Sequence, residues 1–91
     1  MTVTEIRWSV EKDQLLRSDP NRGGIGLAEC AVAIEEGNIL DDLPNPVRPG
    51  QRIFILEIES YAYVVPYVTE GQTIFLKTMF PSRKHTALYL D

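Results

Sequence analysis

A cluster of basic side chains near the C-terminal end of the sequence has the residue types needed for phosphoryl chemistry. It holds three cations and the single histidine of the chain within nine positions: Lys77, Arg83, Lys84 and His85. Arginine and lysine stabilise negative charge that develops on a phosphoryl group, and an imidazole moves protons near neutral pH. Cleavage of RNA by its own 2′-hydroxyl needs a base, cations for the pentavalent phosphorane and an acid for the leaving 5′-oxygen. The cluster therefore predicts a phosphate site with His85 as a proton carrier.

Positive charge is concentrated at this end of an otherwise acidic chain. The net charge is −4, which argues against a simple nucleic-acid binder because phosphate binding depends on lysine and arginine. Residues 1–71 contain six Lys or Arg and twelve Asp or Glu, whereas residues 72–91 contain three and one. We therefore expect a local phosphate site and not a broad basic surface.

The predicted elements place the cluster at a corner between a strand and a helix. Alternating apolar residues predict a last strand over 72–80, and Ser82 is a suitable N-cap for a helix over about 82–90. A helix start carries free N–H groups and partial positive charge, so Arg83 and Lys84 in the first turn could hold an anion there. A solvated surface position for both residues is the alternative.

Two cations on predicted strands could reach the same region. Lys77 is expected on one face of the last strand, together with Phe75 and Met79. The alternation in residues 51–59 predicts another strand, from which Arg52 could approach the basic cluster. These two side chains could bind phosphate, or they could face solvent.

Three tyrosines alternate along the next predicted strand, over residues 61–69, and so share one face: Tyr61, Tyr63 and Tyr67. Their rings could stack on RNA bases or donate a proton, and packing in the core is the alternative. Pro66 lies in the same segment and lacks an N–H, which predicts a position at an edge, a bulge or a strand end.

The remaining elements are short and predict an α+β fold. In chain order they are a strand over 3–8, a helix over about 10–18, a turn over 19–24, a helix over about 27–36, and a strand from Ile39 that enters a stiff loop over 42–50. This order predicts two N-terminal helices and a short C-terminal helix on one face of an antiparallel sheet of three to five strands. The length predicts one domain over 1–91.

Several classes of site do not fit these residue types. One histidine and one cysteine cannot supply the ligands of a zinc site, and there is no glycine-rich phosphate loop, so no metal or cofactor is expected. Cys30 has no disulfide partner and lies in an apolar helical stretch, which predicts an inert core thiol, with a reactive thiol as the alternative. The chain has no apolar run long enough for a membrane span, and its polar N-terminus predicts no secretory signal, so we expect a cytoplasmic protein.

Several segments resemble the BrnT-like toxins of the RelE/ParE superfamily, which are ribonuclease components of bacterial type II toxin–antitoxin pairs. One is residues 8–12 (Trp-Ser-Val-Glu-Lys) at the start of the first helix, and another is strand 52–56 (Arg-Ile-Phe-Ile-Leu). A glycine-containing turn also precedes a helix rich in Leu, Ala and Glu. The clearest likeness is residues 81–86 (Pro-Ser-Arg-Lys-His-Thr), which are similar to the family's Ser-Ala-Arg-x-Ala-Thr segment.

The resemblance implies a RelE-like α+β fold, metal-independent cleavage of mRNA, and neutralisation by a small antitoxin that often has a ribbon-helix-helix domain. It assigns the cleavage role first to Arg83, and then to Lys84 and Tyr89. A homodimer and a toxin–antitoxin hetero-oligomer are both left open.

The sequence departs from this family in two ways. Such toxins are commonly basic, whereas this chain carries a charge of −4. The expected Arg/Lys-rich end of the last helix is replaced by residues 86–91 (Thr-Ala-Leu-Tyr-Leu-Asp). The charge balance therefore favours a second hypothesis, a non-catalytic protein-interaction module on the same fold.

Overall fold

Three helices and six short strands make up the computed structural model, which describes residues 5–91. The helices are α1 (Val10–Arg17), α2 (Leu27–Glu35) and α3 (Arg83–Leu90). The strands are β1 (Glu5–Trp8), β2 (Ile39–Pro44), β3 (Arg52–Ile58), β4 (Tyr61–Glu70), β5 (Thr73–Leu76) and β6 (Phe80–Pro81). The α+β class, the two N-terminal helices and the short C-terminal helix are confirmed. Positions 3 and 4 of the first predicted strand lie outside the described residues.

The sheet is mixed, with strand order β1-β5-β4-β3-β2, and β6 pairs with β4 beyond the end of β5. Neighbours are antiparallel except β1 and β5, which run parallel. The prediction of an antiparallel sheet of three to five strands is therefore wrong in strand count and in one pairing. The apolar alternation in β1 does not reveal its partner, because that partner lies more than sixty positions away in the chain.

The predicted last strand is interrupted at residues 77–79, opposite Pro66 in β4. The Lys77 N–H donates to the Pro66 carbonyl oxygen at 2.9 Å. Because the nitrogen and carbonyl of one strand residue point to the same side, the proline nitrogen faces the gap between β5 and β6. Pro66 therefore sits in mid-strand without removing a ladder hydrogen bond, since the adjacent strand is broken there.

Both faces of the central sheet are covered. Phe54 and Leu56 of β3 pack with residues of α1 and α2 in one core cluster, the first core. Ile53 and Ile55 pack on the opposite face with residues of α3 in a second core. The prediction that all helices lie on one face is wrong, because β3 and β4 carry apolar side chains on both faces and each face needs a cover. This arrangement places α3 and its basic N-terminus on the side of the sheet away from α1 and α2.

The start of α2 depends on a side chain from α1. Gly26 is the N-cap and has no side chain, so Asp13 Oδ1 accepts hydrogen bonds from the N–H groups of Leu27 at 2.5 Å and Ala28 at 3.3 Å. Arg17 bonds to both Asp13 and Glu29, and Glu29 Oε1 accepts from the Gly26 N–H at 2.9 Å. These contacts fix the angle between α1 and α2 above the first core.

Candidate functional site

The first turn of α3 is joined to β4 by two hydrogen bonds, and two more hold its own residues together. Ser82 Oγ accepts from the His85 N–H at 3.1 Å, which confirms the predicted N-cap. The Ser82 N–H donates to the Ala62 carbonyl at 2.9 Å, and the Ala62 N–H donates to Thr86 Oγ1 at 2.9 Å. Thr86 Oγ1 in turn donates to the Ser82 carbonyl at 2.7 Å. The position of His85 relative to the sheet is therefore set by the backbone of β4.

His85 is held from two sides. Its Nδ1 lies 2.6 Å from Ser82 Oγ, so Nε2 is the ring nitrogen left for a ligand. Its ring lies parallel to that of Tyr89, one helical turn further on, with centroids 6.3 Å apart and planes at 4°. An imidazole held in this way can present one nitrogen in a defined direction, which suits proton transfer.

Tyr89 joins α3 to β2 through its hydroxyl group. Its hydroxyl donates to Asp41 Oδ2 at 2.5 Å, and this hydrogen bond raises the pKa of the Tyr89 hydroxyl. The same bond lowers the pKa of Asp41, so the carboxylate stays ionised as an acceptor. The predicted catalytic role of Tyr89 therefore lacks support in the geometry, because its proton is held by Asp41.

Arg83 and Lys84 lie on the outward face of α3 and are exposed. Neither forms an ion pair within residues 5–91. Leu88, one turn further along the same face, is 65% exposed. The two cations lie in the first turn of the helix, as expected. They line neither of two adjoining surface grooves, one of which has His85 in its wall and the other Lys77.

An apolar groove of about 340 Å³ lies between α3, the sheet and the loop after β2. His85 forms part of its wall, and most of the other side chains are apolar: Val47, Ile53, Val64, Pro66 and Phe80. Phe80 is 41% exposed, and Val47 is 81% exposed. The groove thus presents an aromatic ring and aliphatic groups to solvent beside a histidine. We call it the apolar groove.

A second groove of about 320 Å³ adjoins the first, and the two share four wall residues: Asn45, Arg48, Pro66 and Thr78. This cationic groove is also lined by Lys12, Gln51 and Lys77. No aspartate or glutamate of the described chain lines either groove, although the protein has thirteen acidic residues. The three cations of the cationic groove are Lys12, Arg48 and Lys77. They form no ion pair in residues 5–91, so they are available to an anionic ligand.

Arg48 is held by a hydrogen-bonded turn in the predicted stiff loop. Asn45 Oδ1 accepts from the N–H groups of Val47 at 2.9 Å and Arg48 at 3.2 Å. The Asn45 N–H donates to the Gln51 carbonyl, and the Gln51 N–H donates to the Arg48 carbonyl. The loop begins later than predicted, because β2 continues to Pro44 by pairing with β3. The turn places a cation at the junction of the two grooves.

Lys77 lies in the break between β5 and β6 and is exposed, with Nζ 5.4 Å from the centre of the Phe75 ring. The prediction that Met79 shares this face is wrong. Met79 is fully buried in the core cluster with Ile74 and Leu76, because the break changes the alternation of side chains. Lys77 lines the cationic groove, and it also lines a separate cleft together with Phe75 and Glu70.

Arg52 does not join the basic cluster. Its guanidinium bonds to Asp42, with Nε 3.1 Å from Oδ1 and an Nη 3.1 Å from the carbonyl oxygen. Arg52 shares the face of Phe54, on the α1 and α2 side, whereas α3 covers the other face. The prediction that Arg52 reaches the region of Arg83 is wrong, since the sheet separates the two side chains.

The tyrosine face belongs to the core. The Tyr67 ring is 1% exposed, stacks on Phe54 with centroids 4.1 Å apart, and donates from its hydroxyl to Asp42 Oδ1 at 2.7 Å. Burial and this bond raise the pKa of Tyr67 to about 12. Tyr63 is 7% exposed and Tyr61 packs against the same cluster. Base stacking by Tyr63 and Tyr67 is therefore excluded by burial, and Tyr61 is part of the same packed set.

Two residues of the cationic groove, Lys12 and Arg48, were missed by the sequence analysis. Lys12 is in α1 and Arg48 in the proline-rich loop, and both are remote in sequence from Lys77. The position of Arg48 could have been suspected from the sequence, because three prolines stiffen the backbone of its loop. The position of Lys12 could not, since a lysine on an amphipathic helix is ordinarily a solvent-facing residue.

Comparisons with protein-family models, with curated proteins and with solved structures found no match to this chain. In residues 5–91, no group of three or more histidine, cysteine or carboxylate side chains is arranged to hold a metal ion. The helices of the described region are all too short to cross a membrane.

Proposed function

We propose that this chain is the toxin of a type II toxin–antitoxin pair, a metal-independent endoribonuclease that binds mRNA in the cytoplasm and is neutralised by a small antitoxin. The observation that supports this proposal is the cationic groove. On a chain of net charge −4, its lining combines Lys12, Arg48 and Lys77 with no acidic residue. Such a concentration of unpaired cations favours a polyanion, because each phosphate contact releases counterions.

His85 and the groove cations divide the chemistry of strand cleavage. The 2′-oxygen of the ribose attacks the adjacent phosphorus, its proton passes to a base, and the bond to the 5′-oxygen breaks as that oxygen takes up a proton. The products are a 2′,3′-cyclic phosphate and a 5′-hydroxyl. His85 Nε2 carries one of these protons, and Arg48 and Lys77 stabilise the negative charge on the phosphorane.

Arg83 and Lys84 have a secondary place in this proposal. They are exposed on the outward face of α3, so they attract the RNA strand toward the grooves and do not contact the reacting phosphate. This differs from the role that the family resemblance assigns to Arg83. Cleavage by the Arg83→Ala variant therefore separates the two assignments: an abolished turnover supports the family role, and weaker RNA binding supports steering.

The proposal is tested by incubating the purified chain with single-stranded RNA in the presence of EDTA and analysing the ends of the fragments. We expect fragments with 2′,3′-cyclic phosphate and 5′-hydroxyl ends, and growth arrest when the chain is expressed without a partner. His85→Ala should lose cleavage and retain RNA binding. Arg7→Ala, which removes one exposed charge from β1, serves as the control. Absence of cleavage and of growth arrest for the wild-type chain would rule out the toxin.

A second candidate function, binding to a protein without cleavage, is favoured by the outward face of α3. This face places the unpaired cations Arg83 and Lys84 beside the exposed Leu88. A mixed basic and apolar helical face fits an acidic partner segment. Retained partner binding together with absent RNA binding would support this candidate.

A further inference from the structure

We propose that the apolar groove holds a nucleobase of single-stranded RNA while the cationic groove holds the adjoining phosphate. This inference rests on the proposed function and deepens it, because it specifies the class of RNA that the site accepts. It is carried by the continuity of the two grooves, which share Asn45, Arg48, Pro66 and Thr78 as wall residues.

The two grooves match the two chemical halves of a nucleotide. A base has an apolar, planar face, and the walls around Phe80 and Pro66 are apolar and exposed to a ligand. A phosphate is an anion, and the adjoining groove offers Arg48 and Lys77 without a competing carboxylate. The volume of about 340 Å³ lies at the lower end of the range of small-ligand pockets, which suits one base more than an extended ligand.

Phe80 is the residue best placed to stack on the base. It is 41% exposed although it lies in a strand, because β6 pairs with Val64 of β4 and then leads directly into α3. Aromatic rings in RNA-binding grooves stack on bases that have left a helix. His85 lines the same groove, so a base held there brings its own ribose and phosphate close to the imidazole.

The groove chemistry selects single strands. In an RNA duplex the bases are stacked on their neighbours, and a single base cannot enter the apolar groove without unpairing. Gln51 adds a polar side chain to the wall of the cationic groove, beside the expected position of the phosphate.

The test measures the binding of short 2′-O-methyl oligonucleotides, which cannot be cleaved, by fluorescence anisotropy. Three probes of equal charge per strand are compared: a single strand, an abasic single strand and a duplex. We expect the single strand to bind more tightly than the abasic strand and the duplex. Phe80→Leu, which removes the ring, should weaken single-strand binding by about five- to a hundredfold and leave abasic binding unchanged. Phe80→Trp should restore it.

Two controls keep the outcomes separate. Leu15→Ala removes an apolar side chain that is 71% exposed on α1, outside the groove, and should bind as the wild type does. Circular dichroism and thermal melting check that Phe80→Leu is folded, and Val47→Asp, at a loop residue that is 81% exposed, is a second variant of the groove wall. Val47→Asp should also weaken binding of the single strand, since it places a carboxylate in the wall of the apolar groove, where the base is held.

The possible results discriminate the base pocket from the proposed function itself. Equal binding of the abasic and intact strands, with no effect of Phe80→Leu, overturns the proposed base pocket. If the wild-type chain still cleaves RNA in that case, the proposed ribonuclease function stands. Unchanged RNA binding by Phe80→Leu with loss of antitoxin binding also overturns it and identifies a protein site. Absence of all RNA binding by the wild-type chain overturns both proposals.

Discussion

The hydroxyl group of Tyr89 in α3 donates a hydrogen bond of 2.5 Å to the carboxylate of Asp41 in β2. This bond joins the C-terminal helix to the edge strand of the sheet, across the second core. The Tyr89 ring also lies parallel to the ring of His85, one turn earlier in the same helix. The bond to Asp41 therefore helps to fix the helix that presents the histidine to the apolar groove. Loss of the bond should therefore affect the site through the position of α3.

Tyr89→Phe should loosen α3 while the rest of the sheet is retained. The ring still packs against the second core, but its hydrogen bond to Asp41 is lost. We expect faster amide hydrogen exchange in α3, together with a lower turnover number at an unchanged Kd for RNA. Hydrogen-exchange mass spectrometry checks the first expectation. Unchanged exchange in α3 would show that this hydrogen bond does not hold the helix.

The Asp41–Tyr89 bond should make stability depend on acid pH. The pKa of Asp41 is lowered in the folded chain, chiefly by the hydrogen bond from Tyr89. The ionised carboxylate therefore adds to the free energy of unfolding at pH values above the ordinary pKa of an aspartate. The contribution disappears as the pH falls through the folded pKa, below about 4. The difference in free energy of unfolding between wild type and Tyr89→Phe should therefore shrink between about pH 7 and pH 3. Urea denaturation at both values measures it, and a constant difference contradicts the linkage.

Gly26→Ala should destabilise the contact between α1 and α2. An added Cβ would overlap Asp13 Oδ1, the acceptor that caps α2, so the carboxylate must move and its two N–H bonds weaken. We expect a loss of about 1–3 kcal/mol in the free energy of unfolding, measured by urea denaturation. In an Asp13→Ala background the same change should cost less, because the clash and the cap are already absent. Additive costs would contradict this account.

Arg52→Ala should lower stability and leave RNA binding unchanged. Arg52 is bonded to Asp42 and does not line either groove. Its loss leaves Asp42 with the Tyr67 hydroxyl as a partner. Thermal melting measures the stability, and fluorescence anisotropy measures the affinity for a single strand. A marked loss of RNA affinity in a folded variant would place Arg52 in the binding site after all.

Lys77→Ala and Arg48→Ala should each weaken RNA binding through charge. For single strands, the slope of log affinity against log salt should fall by about 0.7 for each phosphate contact that is lost. Lys77→Arg keeps the charge and should keep the slope, and Arg7→Ala removes one charge from β1 as a control. A slope that is unchanged in both alanine variants would show that the cationic groove does not bind phosphate.

The sequence alone was sufficient for the local elements around α3. Ser82 is a good N-cap by type, and the structure confirms it through the hydrogen bond from the His85 N–H. The two N-terminal helices were likewise predicted from capping residues and apolar spacing, to within one residue at each end. Capping residues and apolar spacing act between residues a few positions apart, so they can be recognised in the sequence. The contact of Asp13 with the start of α2 spans fourteen positions and was not predicted.

The composition of the site was only partly predictable. Lys77 and His85 were identified from the concentration of charge near the C-terminus, and both line the adjoining grooves. Arg52 was assigned to the same cluster, although it lies across the sheet. Its true partner, Asp42, was expected in a loop, so the pair that holds Arg52 could not be recognised from strand alternation.

Residue types and spacing were enough to predict the three helices, the α+β class and the end of the chain at which positive charge collects. The tertiary structure alone decided that α3 covers the face opposite α1 and α2, and that Lys12, Arg48 and Lys77 meet in one groove. The two outcomes differ because the interactions involved act over different distances along the chain. Caps and periodicity act over one or two turns, whereas the face that each helix covers depends on burying both apolar faces of β3 and β4 at once.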